Sequence, residues 1–205
     1  MSPGLPMPMQ HNRALPDMIE ARLDDTRLAI FLFHGVISKQ THTVRNYTGK
    51  HIEAELFTRC MERLAQVGRP LSMDEVLYHC ETQAPFPKKS FAITFDDGFE
   101  NNISVASPIL ENLDIPATIY VTTDFIEKNG MSWIDRIEDA VENAEEQTLK
   151  VSWSEKSFTL SDSKSRIFFL RAVREFVKKS AECNAEDFAD DLCSRLRKKK
   201  KEVSR

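Results

Sequence analysis

The chain has 205 residues, 41% of them hydrophobic, and its 28 basic and 32 acidic residues give a formal net charge of −4 at pH 7. This composition is typical of a soluble globular protein and excludes collagen-like, disordered and strongly basic nucleic-acid-coating classes. The longest apolar run, Leu28 to Phe33, is far shorter than the ~20 residues that cross a bilayer. We therefore predict no membrane span and no nucleic-acid partner, and we interpret the basic run from Arg197 to Lys201 as a solvated helix end.

The N-terminus and the cysteines predict the compartment. Residues Met1 to Gln10 contain three prolines and lack the basic and apolar regions of a secretion signal. The four cysteines form no CxxC pair, which favours free thiols in a reducing compartment over a disulfide framework. We predict a cytoplasmic protein with a flexible arm over residues 1–26 and one partial domain over residues 27–205.

The first elements in chain order are a strand and two helices. Leu28 to Phe33 is apolar throughout and is predicted to be a buried strand. Apolar side chains recur at helical spacing from Ile52 to Leu64 and predict a helix there. A second, shorter helix is predicted over Met73 to Cys80, because Ser72 and Glu75 form a capping box before it.

The next elements follow a strand–helix–strand order. Phe91 to Phe95 is predicted to be a second buried strand, and Ser107 is predicted to open a helix whose first turn contains Pro108. Ala117 to Val121, rich in β-branched residues, is predicted to be a third buried strand. Strands and helices that alternate with short connections predict a parallel sheet with helices outside it.

The C-terminal part has a different, mostly helical pattern. A helix is predicted over Trp133 to Asn143, and a small hairpin between Leu149 and Leu160. Two amphipathic helices follow, the first capped by Ser161 or Ser163 and the second by Asn184.

The clearest chemical signal is the carboxylate pair Asp96 and Asp97, which follows the predicted strand Phe91 to Phe95 and precedes Gly98. Adjacent carboxylates repel each other and lose hydration on burial, and a divalent cation is the usual compensation. At the carboxyl end of a parallel strand, where ligands collect in α/β folds, one carboxylate would bind the metal and the other would take a proton. The structural alternative is a solvated turn, because Asp-Gly is a common turn dipeptide.

The segment from Ser90 to Gly98, SFAITFDDG, resembles the first motif of the polysaccharide deacetylase family, also called the NodB homology family. Phe33 to Val36 is similar to the His segment after the first strand of many members. Ala106 to Leu110 and Ala117 to Val121 resemble the helix and strand that follow the motif. The resemblance extends over roughly Arg27 to Leu196.

This resemblance implies an α/β fold of the distorted (β/α) barrel type, a divalent metal that is commonly zinc, and hydrolysis of the N-acetyl amide on sugars of a polysaccharide or glycan. It also implies that Asp96 is the general base that deprotonates water and that Asp97 is a metal ligand. His34 and Glu100 are predicted to lie on the same rim as Asp96 and Asp97, that is, at the carboxyl ends of the strands, and to contact the carbohydrate substrate. For both, the alternative is an ordinary structural or loop residue.

The sequence departs from the family pattern in the rest of the metal site. Members complete the site with two histidines in an H-x-x-x-H segment downstream of the motif, whereas all five histidines of this chain precede Asp96. Because a catalytic zinc normally has three protein ligands, the site as written is incomplete. We therefore interpret the chain as a truncated N-terminal portion of a deacetylase, inactive by itself, whose last two helices resemble an insertion that some members carry before that segment.

The incomplete site leaves a second function open. The chain would then be a catalytically incomplete deacetylase-like fold that binds a carbohydrate or a partner. An unfinished barrel also has an open sheet edge and an exposed apolar face. We therefore predict self-association of the chain through this edge.

Overall fold

The computed structural model describes residues 14–128 and 130–196, which divide into two compact units. The first unit contains residues 14–40 and 48–128, and the second contains residues 41–47 and 130–196. The beginning of the predicted arm, before Ala14, and the basic run from Arg197 to Lys201 lie outside the described residues. In the described part of the chain, no helix is long and apolar enough to cross a bilayer.

The first unit is an α/β structure. In chain order its elements are α1 (Leu15–Glu20), β1 (Ala29–Phe33), β2 (Gly35–Ile37), β3 (His51–Glu53), α2 (Ala54–Val67), β4 (Arg69–Pro70), α3 (Met73–Thr82), β5 (Ser90–Phe95), a π-helical turn (Asn102–Ala106), α4 (Ser107–Glu111), β6 (Ala117–Ile119) and α5 (Thr123–Lys128).

Strand β5 is the centre of a four-stranded parallel sheet. Strand β1 pairs with it along one edge, from Ala29 opposite Phe91 to Phe33 opposite Phe95. Strands β4 and β6 pair with the beginning and the end of β5, respectively, and so share its other edge. All six residues of β5 are buried. The predicted parallel sheet and the predicted buried strand are therefore confirmed.

The two outer strands are less buried than the sequence predicts. In β1 the burial alternates, with Ile30 and Leu32 about half exposed, and Tyr120 and Val121 beyond β6 are also about half exposed. The reason is that α2 covers one face of the sheet, where the Phe33 ring lies 5.2 Å from that of Phe57, while the face of Ile30 and Leu32 has no such cover in the described residues. The prediction of three fully buried strands is wrong for β1 and β6.

Helix α2 contributes more buried side chains to the core of the first unit than the other helices described there. Its apolar stripe is buried, as the spacing predicts, although the helix begins at Ala54 because the preceding residues form β3. Burial raises the pKa of the Cys60 thiol on this stripe to about 11, which keeps the thiol protonated. Helix α3 begins at the predicted capping box, in which Glu75 N donates to Ser72 Oγ and Ser72 N donates to Glu75 Oε2.

Residues 14–26, the second half of the predicted flexible arm, are packed onto the first unit. Ile19 on α1 is buried in the same core as α2. Glu20 accepts a hydrogen bond from Arg63 Nε on α2 at 2.6 Å, and Asp24 O accepts one from Lys89 N. This part of the arm is therefore held by apolar packing, by an ion pair and by a main-chain hydrogen bond.

The second unit is helical with one small hairpin. Its elements are α6 (Trp133–Glu142), β7 (Thr148–Leu149), β8 (Phe158–Thr159), α7 (Ser163–Lys179) and α8 (Ala185–Arg195). Strands β7 and β8 pair antiparallel, which confirms the hairpin. Asn184 caps α8 as predicted, but the cap of α7 is Asp162, whose carboxylate accepts from Ser165 N. An aromatic cluster around Trp153 and Phe169 fills the core.

Two buried charges hold α6 in the second unit. The Arg166 guanidinium, on α7, donates to the carbonyls of Val141 and Glu142 in the last turn of α6 and to that of Ala144 just after it. Glu138 on α6, only 7% exposed, forms an ion pair with Arg174 at 2.8 Å. The polar loop of residues 41–47, for which no element was predicted, packs in this unit rather than in the first.

Candidate active site

The predicted carboxylate pair lies at the carboxyl end of the central strand of the sheet. Directly after β5, Asp96 N donates to Phe33 O of β1 at 2.9 Å, and Tyr120 N donates to Phe95 O at 2.8 Å. The chain therefore leaves the sheet between its two neighbours with its backbone hydrogen bonds made. Both aspartate side chains are partly exposed, as a reacting carboxylate requires.

Two successive left-handed residues turn the chain away from β5. Asp97 has φ of 72° and Gly98 has φ of 73°. Aspartate tolerates this region better than most residues, and glycine adopts it without a steric penalty. A Cβ on Gly98 would lie 2.9 Å from Val121 Cγ1, so the turn also packs closely against the segment after β6.

The carboxylate of Asp97 is paired with an ammonium group. Lys50 Nζ lies 3.1 Å from Asp97 Oδ2, and the two side chains are 19% and 29% exposed. The same ammonium lies 4.4 Å from the centroid of the Phe99 ring, a cation–π distance. Lys50 immediately precedes β3, so β3 and the turn after β5 together form this pair.

A second set of polar contacts surrounds the pair. His51 Nδ1 and Asn101 Nδ2 are 3.0 Å apart, and the His51 ring packs edge-on against Phe99 with centroids 4.6 Å apart. Gly35 lies under both, because a Cβ there would come within 2.6 Å of His51 Nδ1 and of Asn101 Oδ1. The glycine after His34 is therefore needed for close packing at this rim.

The buried Asn102 amide ties the π-helical turn to the end of β1. In the orientation that satisfies both ends of the amide, it donates to His34 O at 3.0 Å and accepts from Phe99 N at 3.3 Å. This is a structural role. π-Helical turns often lie at functional sites, and this one directly follows the rim.

The structure brings the four predicted site residues to one end of the sheet. His34 follows Phe33, whose carbonyl accepts the Asp96 N–H, and its own side chain is partly exposed. Glu100 is exposed and accepts from Ser104 Oγ at 2.9 Å, so its carboxylate is engaged locally. Trp133, at the start of α6, packs against the core of the second unit.

The described residues do not fit a zinc site. Residues 14–128 and 130–196 contain no group of three histidine, cysteine, aspartate or glutamate side chains that could hold a metal ion. Asp97, the predicted ligand, has the ammonium of Lys50 as its counter-charge. A site that met the usual requirement of three protein ligands would need side chains from outside these residues.

Sequence reasoning missed the residues that surround Asp97. No local motif marks Lys50, His51 or Phe99. The predicted helix begins at Ile52 and therefore overlaps the short strand β3, which the sequence analysis does not predict. Ile52 is the one β-branched residue of β3, and a single such residue is too short a pattern to predict a strand. Only the parallel pairing of β2 with β3 brings Lys50 and His51 to the rim.

Comparison with known proteins gives a family match to part of the chain. Residues 83–165, less than half of the chain, match the family model described as polysaccharide deacetylase. Among curated proteins, no sequence matches the chain.

Three solved structures are similar to parts of this chain. The deacetylase PplD of Streptococcus pyogenes, in complex with acetate, is 24% identical over 54% of this chain and 50% of its own, with a TM-score of 0.43. IcaB from Ammonifex degensii is 25% identical over 48% and 40%, with a TM-score of 0.41. A de-N-acetylase from Aggregatibacter actinomycetemcomitans is 18% identical over 74% and 51%, with a TM-score of 0.42.

The chain thus spans between 40% and 51% of the length of these three solved structures. The family model covers the motif from Ser90 to Gly98 and the helix and strand after it. The resemblance predicted from that motif is therefore confirmed over residues 83–165, which match the model of the polysaccharide deacetylase family.

Proposed function

We propose that this protein is a polysaccharide deacetylase, a hydrolase of carbon–nitrogen bonds that releases acetate from N-acetylated sugars of a polymer or glycan. The observation that carries this proposal is the placement of Asp96 and Asp97 at the carboxyl end of the central parallel strand, within the segment that matches the family model. Ligands in α/β folds bind at this end of the strands.

In this proposal Asp96 is the general base. Its carboxylate takes a proton from a water molecule, and the oxygen of that water adds to the acetyl carbonyl carbon. The carbon–nitrogen bond then breaks as the leaving nitrogen receives that proton, which gives acetate and the amine. The hydrogen bond from Asp96 N to Phe33 O fixes the backbone that carries this carboxylate. His34 and Glu100, at the same end of the sheet, are the proposed contacts to the sugar.

Asp97 is the proposed metal ligand, with zinc as the proposed cation. Because the described residues do not fit a complete zinc site, we propose that the remaining ligands come from outside them and that the cation they help to bind displaces the ammonium of Lys50 from Asp97. In the same way, the parallel sheet is proposed to be part of a distorted barrel. The half-exposed face of Ile30 and Leu32 would be its interior side.

The test is acetate release from the pentamer of N-acetylglucosamine by the protein as produced from its own gene. Asp96→Asn keeps the shape of the side chain but removes the base, and we expect kcat to fall at least a hundredfold, because general base catalysis contributes about 10²–10⁴. Asp74→Asn is the matched control, since Asp74 is an exposed carboxylate on α3 in the same unit and should leave kcat unchanged.

Two results would overturn this proposal. One is a folded wild-type protein that releases no acetate in the presence of zinc, cobalt or manganese. The other is an Asp96→Asn variant that retains the wild-type rate, since the carboxylate would then take no proton in the rate-limiting step.

The Lys50–Asp97 ion pair favours a second candidate, a non-catalytic carbohydrate-binding module. A carboxylate that is already compensated by an ammonium group needs no metal, and the rim would then only bind sugar hydroxyls. Calorimetric titration with the same pentamer separates the two functions. Binding that survives both Asp96→Asn and Asp97→Asn, together with no acetate release, would support the module and contradict the enzyme.

A further inference from the structure

Lys50 places a positive charge beside the Asp97 carboxylate and so affects the charge balance at this end of the sheet. Its ammonium lies 3.1 Å from Asp97 Oδ2, and both side chains are more than two-thirds buried. At such a distance the attraction between opposite unit charges is stronger near a protein surface than in bulk water, because the effective dielectric constant is lower there. Lys50 therefore neutralises the carboxylate at which a divalent cation would bind.

Several contacts hold the ammonium at this place. The Phe99 ring faces it at 4.4 Å, and a ring face attracts a cation. Phe99 is in turn fixed by the edge of His51, the residue after Lys50. Since Lys50 immediately precedes β3, which pairs with β2, its backbone has little freedom to move away.

We propose that Lys50 is the counter-cation of Asp97 and that, when no further metal ligands complete the site, its ammonium keeps divalent cations off this carboxylate. A divalent cation within reach of Asp97 would lie close to the ammonium, and like charges at such a separation repel each other. The inference goes beyond the proposed function, because it concerns cation binding and folding and needs no hydrolysis.

The first experiment measures Mn²⁺ binding to the 205-residue chain by titration followed through the EPR signal of the free ion. In wild-type protein we expect Asp97→Asn to leave the weak binding of Mn²⁺ unchanged. Lys50→Met should raise the Mn²⁺ association constant at least tenfold, and this gain should disappear in Lys50→Met with Asp97→Asn. The dependence on Asp97 distinguishes the site from other surface carboxylates.

Two controls separate charge from shape. Lys50→Arg retains the positive charge and should bind Mn²⁺ as weakly as wild type. Lys88→Met removes one positive charge from the same unit, at a pair with Asp25 in which the lysine side chain is 81% exposed, and should also leave the affinity unchanged. Wild-type binding that is lost in Asp97→Asn, or a Lys50→Met variant with no gain, would overturn the proposal.

The second experiment measures the ion pair without any metal. Urea unfolding of wild type, Lys50→Met, Asp97→Asn and the double variant forms a double-mutant cycle. We expect Lys50→Met to lower the folding equilibrium constant at least threefold more in wild type than in Asp97→Asn. Additive effects would contradict the proposed pairing. If Lys50→Met does not fold, Lys50→Gln takes its place in the cycle.

Both experiments are independent of catalysis. A coupled, Mn²⁺-excluding pair in a protein that releases no acetate would leave this inference standing and overturn only the proposed function. An active enzyme whose Asp97 binds Mn²⁺ equally well with and without Lys50 would give the opposite result.

Discussion

Two glycines with nearly the same φ angle have different surroundings. Gly98 in the turn after β5 has φ of 73° and Gly49 has φ of 71°. A Cβ on Gly98 would lie 2.9 Å from Val121 Cγ1, whereas a Cβ on Gly49 would have nothing within 4 Å. Gly98 therefore serves two needs, a left-handed backbone and close packing beside the carboxylates, while Gly49 serves only the first.

We expect Gly98→Ala to lower the free energy of unfolding by about 3 kcal/mol. A left-handed alanine costs about 1–2 kcal/mol, and the forced contact with Val121 adds about 1 kcal/mol or more. Gly49→Ala is the matched control and should show only the backbone cost. Urea unfolding of both variants measures the difference. Equal losses would mean that the segment after β6 moves away from the new methyl group without cost.

Helix α6 holds the loop of residues 41–47 in the second unit. Glu138, Asp139 and Glu142 all face the loop of residues 41–47 and accept hydrogen bonds from it. Glu142 alone receives the N–H groups of Val44 at 2.7 Å and of Arg45 at 2.9 Å. A segment without regular structure is thus fixed by carboxylates that are one helical turn apart, since residues i and i+4 share a helix face.

This arrangement predicts a pH dependence of stability. Burial raises the pKa of Glu142, but the hydrogen bonds from Arg45, Val44 and Thr43 outweigh it and hold the pKa below its ordinary value. With the folded pKa below the unfolded one, the stabilisation is complete above the ordinary glutamate value of about 4.3. It is lost as the pH falls through the folded pKa.

We expect Glu142→Gln to lower the free energy of unfolding by about 2 kcal/mol near neutral pH, and the difference from wild type to shrink below about pH 4. Urea unfolding at several pH values between these limits measures it. Glu146→Gln is the control, because Glu146 is exposed and lies outside this helix. A difference that does not change with pH would show that the ionised form of Glu142 is not the stabilising one.

At the scale of the whole molecule, the parallel sheet ends at β1. Among the described residues β1 pairs only with β5, so its other edge has no strand partner there. Ile30 and Leu32, 51% and 54% exposed, lie on the uncovered face of this edge strand. A long apolar edge without charges or proline is a place where another strand adds readily. We propose that a second copy of the chain pairs there.

The association should depend on concentration in sedimentation velocity. Lysines at the edge oppose strand addition, so Ile30→Lys with Leu32→Lys is expected to shift the chain toward monomer at least tenfold in the dissociation constant. Leu77→Lys, at an equally exposed position on α3, should not. A wild-type chain that is monomeric at all concentrations would contradict the prediction.

Much of the first unit could be predicted from the sequence. The helix through Phe57, the capping box at Ser72 and the buried strand before Asp96 each follow from spacing or composition over a few residues. The burial of β1 and β6 could not be predicted, because an apolar run is compatible with one covered face or two. The number of covered faces depends on which helices pack on the sheet.

The candidate site divides in the same way. The sequence by itself determined the carboxylate pair Asp96–Asp97, its position after a buried strand and the resemblance of residues 83–165 to the polysaccharide deacetylase family, because the motif is contiguous and its chemistry is local. Only the tertiary structure decided that Lys50 is the partner of Asp97 and that residues 41–47 pack against α6 in the second unit. Both contacts join segments far apart in the chain, and strand pairing and packing, which leave no local pattern, determine such contacts.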